Sequence, residues 1–148
     1  MHPSDPPGAP EQADTQLHAV LAMDLETGAG ERLRLDVGVR YDESDPLVVQ
    51  LHFNPPTAAP LVWTVSRELL LDGLDRPSGQ GDVLVRPLDG PEVLIVLRSP
   101  CGEARLYAPA AALEAVLLRT DLLVPVGEEL PPGALERELS LLLPPTGP

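Results

Sequence analysis

The chain contains no lysine: its ten basic residues are all arginine, set against 23 acidic residues, for a formal net charge of -13. Proteins that hold nucleic acid present a basic stripe that displaces counterions from phosphates, and here the arginines are scattered singly. The same charge disfavours anionic lipid surfaces. Cysteine occurs once, at Cys101, which excludes an internal disulfide. Aromatic residues number four, Tyr41, Phe53, Trp63 and Tyr107. The longest apolar run in a strand context, Val93 to Leu97, is far too short to span a bilayer. The N-terminus has neither the basic nor the apolar region of a secretory signal, so a cytoplasmic protein without membrane insertion is expected. Absent lysine, a single isoleucine and abundant Ala, Leu, Gly and Pro match the codon usage of a GC-rich genome.

With 148 residues the chain is the size of one domain, and about 125 to 130 residues remain for a core once loose ends are set aside. Residues 1–15 combine Pro, Gly and acids with little to bury and are expected to form a disordered tail. Residues 16–143 are expected to form the domain, and 144–148 a flexible end. Gln16 to Leu25 alternates as a strand, although its Ala and Leu are also compatible with a short helix. Leu33, Leu35, Val37 and Val39 alternate with polar residues or Gly, and Leu47, Val49, Leu51 and Phe53 resume the period after an acidic turn. Two further strands, Leu61 to Val65 and Asp82 to Arg86, flank a short helix. Ser66 is its expected cap and Gly73 its expected left-handed end, with Gly79 and Gly81 in the loop that follows.

Val93 to Arg98 and Glu103 to Tyr107 form a hairpin. Because Val93 to Leu97 does not alternate, a helix or another subunit should cover its second face. Pro109 suits a first helical residue, and Leu113, Val116, Leu117 and Thr120 have the spacing of a buried helical face to about Thr120. Leu135, Leu139 and Leu142 make one stripe of a last helix, widened by Leu141 and Leu143 and stopped by Pro144 and Pro145. The expected fold is α+β, with seven to eight strands in two antiparallel sheets and two to three helices, in an open barrel or sandwich. Leu61 to Val85 would connect the two sheets. Val93, Ile95, Leu135, Leu139 and Leu142 are the candidate surface for self-association or a partner.

Chemistry-bearing patterns are sparse. His2, His18, His52 and Cys101 lack the paired spacing of a metal site, and Cys101 has no evident cation to lower its pKa. Ser66 and Ser99 lack the strained turn of a hydrolase nucleophile, and Gly79-Gln80-Gly81 lacks the residues that complete a phosphate loop. Asp42, Glu43 and Asp45 read as a solvated acidic turn, since a calcium loop also needs a glycine and a distal Glu. Phe53 and Trp63 read as core rather than as base-stacking platforms. Neither catalysis nor a cofactor is expected.

Several segments together resemble one family. They are Arg40-Tyr41-Asp42 with Asp45-Pro46; Trp63, Arg67 and Leu69-Leu70 leading to Gly73-Leu74; and Arg76-Pro77, Gly79, Gly81-Asp82-Val83 and Pro87. Further on come Ser99-Pro100, Gly102-Glu103-Ala104, Ala108-Pro109, Leu113, Arg119-Thr120 and Val124-Pro125 with Gly127. In this order they resemble the SsgA-like proteins, actinomycete regulators of sporulation-specific cell division. The resemblance implies a fold similar to the Whirly-type single-strand-binding proteins, assembled as a homotrimer. It implies a non-enzymatic role at division septa, through partners such as the division protein FtsZ or another SsgA-like protein. A single-stranded nucleic-acid binder is the rival reading, and the charge opposes it.

Overall fold

The computed structural model describes residues 15–55 and 59–129. The expected tail at 1–14, the last helix with Leu135, Leu139 and Leu142, and the C-terminal 144–148 lie outside the described residues. Seven strands are formed in chain order: β1 (Gln16–Glu26), β2 (Arg32–Asp42), β3 (Val48–Phe53), β4 (Leu61–Ser66), β5 (Val83–Pro87), β6 (Glu92–Ser99) and β7 (Gly102–Pro109). Helix α1 (Arg67–Gly73) follows β4, and α2 (Ala110–Leu123) follows β7. Each strand forms where the sequence alternates or runs apolar, with Gly, Pro or acidic residues at the turns.

The strands join as one antiparallel sheet in the order β4-β3-β2-β1-β7-β6-β5, curled into a half-barrel. The two expected sheets are therefore a single one. β1 pairs with β2 along its whole length and also with β7 at Asp24–Tyr107 and Leu25–Leu106, which joins the two halves. The α+β class and antiparallel pairing stand. The segment from β4 through α1 to β5 runs from one edge of the sheet to the other, rather than between two sheets.

The concave face carries the core: Leu21 and Met23 from β1, Val37 and Val39 from β2, Val49 and Leu51 from β3, and Ile95 and Leu106 from β6 and β7. Helix α2 packs on β1 and β7, while α1 packs on β4 and β5. Leu113, Val116, Leu117 and Thr120 of α2 are buried, as their spacing predicts. Burial of each leucine contributes about 1.5–3 kcal/mol to a gross stability that chain entropy largely offsets.

Three local details differ from expectation. Gly73 has no positive φ: it lies within α1, and a Cβ there would collide with Val85 of β5. Its role is close helix-strand contact rather than helix termination. Pro109 is the N-cap of α2, with extended backbone (φ -62, ψ 122), and the first helical residue is Ala110. The helix continues past Thr120 to Leu123, where the backbone turns extended at Val124. Ser66 caps α1 as expected, its hydroxyl accepting from the Leu69 amide at 3.1 Å. Gly79 and Gly81 take φ 103 and 87, conformations that favour glycine.

Candidate functional site

Val93 and Ile95, expected at an association surface, are both 0% exposed within this chain's own core. The even apolar pattern of Val93 to Leu97 has the cause that periodicity suggested, burial on both faces. Val93, Ile95 and Leu97 join the central core, while Leu94 and Val96 are buried on the opposite face, where the register sets them beside Arg86 and Tyr107, and Leu84 and Arg105. No second subunit is needed to explain this strand.

Arg67 is the organising polar residue, and it is 1% exposed. Its Nη1 donates to the Val124 carbonyl at 2.7 Å and to Thr120 Oγ1 at 3.4 Å, and its Nη2 meets Glu129 Oε2 at 2.8 Å. The guanidinium carbon lies 5.2 Å from the centre of the Tyr41 ring. Tyr41 in turn donates to the Pro46 carbonyl at 3.0 Å, and the Arg67 amide donates to the Leu47 carbonyl. One residue, through its side chain and its amide, thus ties the start of α1 to the end of α2, to Tyr41 of β2 and to the β2–β3 turn. The bond to Arg67 holds the Glu129 carboxyl below its ordinary range, and burial pushes the Tyr41 hydroxyl up. This is a structural clasp. Glu129 carried no sequence signal, because an acid in a Pro- and Gly-rich stretch reads as solvated loop.

The convex face is covered by paired charge. Asp24 bonds Arg34 at 2.7 Å, and Arg32 bonds Glu92 at 3.0 Å and lies 3.8 Å over the Tyr107 ring. Tyr107 donates to Glu26 at 2.6 Å, while Arg105 and Arg98 both pair with Glu103. Bonds to arginine hold the carboxyls of Asp24 and Glu103 below their usual range. These guanidiniums are already neutralised by carboxylates, so this face is a poor phosphate track. His18 and His52 also lie on the convex face, and burial pushes the His52 imidazole down. Among the described residues no group of three or more His, Cys, Asp or Glu could hold a metal ion. None of the described helices is long and apolar enough to cross a membrane. Cys101 is exposed in the β6–β7 turn.

The concave side carries an apolar groove of about 340 Å³, at the end of the half-barrel away from the Arg67 clasp. Phe53 and Trp63 from β3 and β4, Leu25 and Leu35 from β1 and β2, and Leu97 and Leu106 from β6 and β7 line it. Leu61, 54% exposed, stands at its rim on β4, which is an edge strand of the sheet. Trp63 is only half-buried: it packs against the core and opens to the groove. Its expected core role is therefore incomplete. A second concavity, lined by Gln16, His18, Arg40 and Asp42 among others, is polar, and Asp42 within it is already bonded to Gln16 and Ser44.

The family signature now has physical content. Tyr41, Arg67, Thr120 and Val124 meet in the clasp, Gly73 admits Val85, and Pro109 starts α2. Residues 35–129 match the family described as Streptomyces sporulation and cell division protein, SsgA. The sporulation-specific cell division protein SsgB of Streptomyces coelicolor is 41% identical over 133 residues, covering 88% of this chain and 97% of that protein. SsgB of Frankia casuarinae is 37% identical, over 84% of this chain and 90% of that protein. A solved structure of SsgB, reported with mutations that correlate to longitudinal cell division during sporulation of S. coelicolor, superposes with a TM-score of 0.73 at 42% identity. It covers 78% of this chain and 93% of the other. The solved SsgA-like sporulation-specific cell division protein of Thermobifida fusca also gives a TM-score of 0.73, at 32% identity over 87% of this chain and 96% of that one. The chain belongs to the SsgA family of sporulation and cell division proteins.

Proposed function

We propose that this chain is a non-enzymatic regulator of sporulation-specific cell division that works by protein-protein contact at the septum. The role in sporulation division is supported by relatives named for that process, among them one 41% identical over most of both chains. The observation that favours contact over chemistry is the groove: an open apolar concavity with Trp63 and Phe53 in its wall and the edge strand β4 along its rim. Such a surface suits an apolar segment of another polypeptide, with aromatic walls as anchors. The partner in this reading is FtsZ, which the protein positions or recruits, or another SsgA-like protein. Homotrimeric assembly and a Whirly-type architecture belong to the same proposal.

Purified FtsZ titrated into this protein tests the reading, with Trp63 as the sole tryptophan reporter. Saturable change in its emission, abolished by Leu61→Asp, is the expected result. An unchanged emission together with no co-sedimentation with FtsZ polymers would remove FtsZ as the partner.

A further inference from the structure

The arginine-carboxylate pairs of the convex face do not extend over β3 and β4 among the described residues. There the register lines up two rows across four strands. One is His18, Arg40, Gln50 and Thr64, all exposed. The other, two residues along each strand and so about 7 Å away, is Val20, Gly38, His52 and Val62. Val20 is 68% and Val62 46% exposed, and at Gly38 the backbone itself forms the surface.

The first row offers donors without acceptors to match. Arg40 makes no hydrogen bond or ion pair among the described residues, unlike Arg32, Arg34, Arg98 and Arg105. Asp42, the next residue on the same face, is held by Gln16 at 2.9 Å and by the Ser44 hydroxyl and amide, each at 2.8 Å. Gln50 Oε1 lies 3.0 Å from His52 Nε2, which leaves the Gln50 amide hydrogens free to donate. Burial, and then the fields of Arg40 and His18, push the His52 imidazole down.

We propose that this quarter of the convex face binds an acidic, apolar polypeptide segment, one that sets a Glu or Asp carboxylate about 7 Å from an aliphatic side chain. Arg40 and Gln50 receive the carboxylate, and Val20 and Val62 receive the aliphatic group. In an extended segment those two residues are two positions apart, since alternate side chains share a face at that spacing. Asp42 and Asp45 border the polar row on the turn side. They would repel a polyanion, so one or two carboxylates fit where a phosphate backbone does not. The surface is separate from the apolar groove, which lies on the concave side.

Amide shifts of the isotope-labelled full chain test this, on titration to millimolar concentration with a synthetic peptide in which Glu and Val alternate with Ser. The amides of His18, Arg40, Gln50 and Thr64 should move together with those of Val20 and Val62, and should saturate. Replacing each Glu of the peptide by Gln, or Arg40→Gln in the protein, should weaken binding about three- to tenfold. Arg40 has no bond to lose, so that variant should unfold at an unchanged midpoint. Leu61→Asp, at the groove rim, should leave the affinity unchanged. No shifts at millimolar peptide, shifts confined to the groove, or equal affinity for the Glu and Gln peptides would each overturn the proposal. Oligothymidylate that moves the same amides at lower concentration than the peptide would also overturn it, by assigning the row to phosphate.

Discussion

At the scale of single residues, the heaviest demand falls on Arg67. A buried guanidinium is tolerated because a carboxylate, a carbonyl and an aromatic face surround it. Arg67→Met strands the Val124 carbonyl and a partly buried Glu129, and should destabilise by about 2–4 kcal/mol in urea unfolding. Glu129→Gln removes the charge but keeps an acceptor, and should cost about half as much. The Glu129 carboxyl is held below its unfolded value of 4.5, so its contribution is complete above that pH and is lost as pH falls through the folded value. Asp24 and Glu103 shift in the same direction. Unfolding midpoints should therefore hold steady from pH 7 to about 5 and drop below 4.5. In Glu129→Gln the drop should be shallower, and an equally steep one would show that the Arg67 pair is not the source. Two of the signature glycines separate packing from backbone: Gly73→Ala meets Val85 and should cost about 1–3 kcal/mol, whereas Gly81→Ala meets open space and pays only for φ 87, about 1 kcal/mol.

At the scale of elements, strands and helical faces were legible because side-chain period is a local property. Val37 and Val39, with half-buried Leu35, and Leu113 to Thr120 declare their inward rows in the order of their letters, while Leu33 at the start of β2 keeps the period but is exposed. Gly73 misled because a glycine that ends a helix and one that admits a neighbouring strand look alike until Val85, far along the chain, is placed beside it. Val93 to Leu97 was legible as doubly covered, with a helix or another subunit expected on the second face, but not as flanked there by Leu84, Arg86, Arg105 and Tyr107 of its own sheet. The groove was not legible at all, since its walls come from six strands and only the sheet order brings Trp63 near Leu97 and Leu106. Trp63→Ala should show the mixed position of that side chain: a loss of about 1–3 kcal/mol, less than the 3–5 of a fully buried tryptophan. A larger loss in thermal or urea unfolding would place Trp63 wholly in the core.

At the scale of the whole molecule, the decisive contact is the short pairing of β1 with β7. Two residue pairs turn a four-stranded and a three-stranded meander into one curled sheet, and no pattern in the sequence announces them. The curl gives the molecule two unlike sides. Its convex side carries a lattice of arginine-carboxylate pairs, worth little singly to stability but unfavourable for anionic ligands. Its concave side holds the core, and where the half-barrel opens it leaves the groove. Light scattering from low to high micromolar concentration should show an oligomer, and a strict monomer throughout would contradict the trimer.

The central claim, that the protein acts through the groove on a division partner, is tested most directly by co-sedimentation with purified FtsZ polymers, comparing the unaltered chain with Leu61→Asp. Leu61 is exposed on the groove rim, so the variant should unfold at nearly the same temperature. The account predicts that the unaltered protein pellets with the polymers and that the variant stays largely in the supernatant. Equal pelleting by an equally stable variant would contradict it.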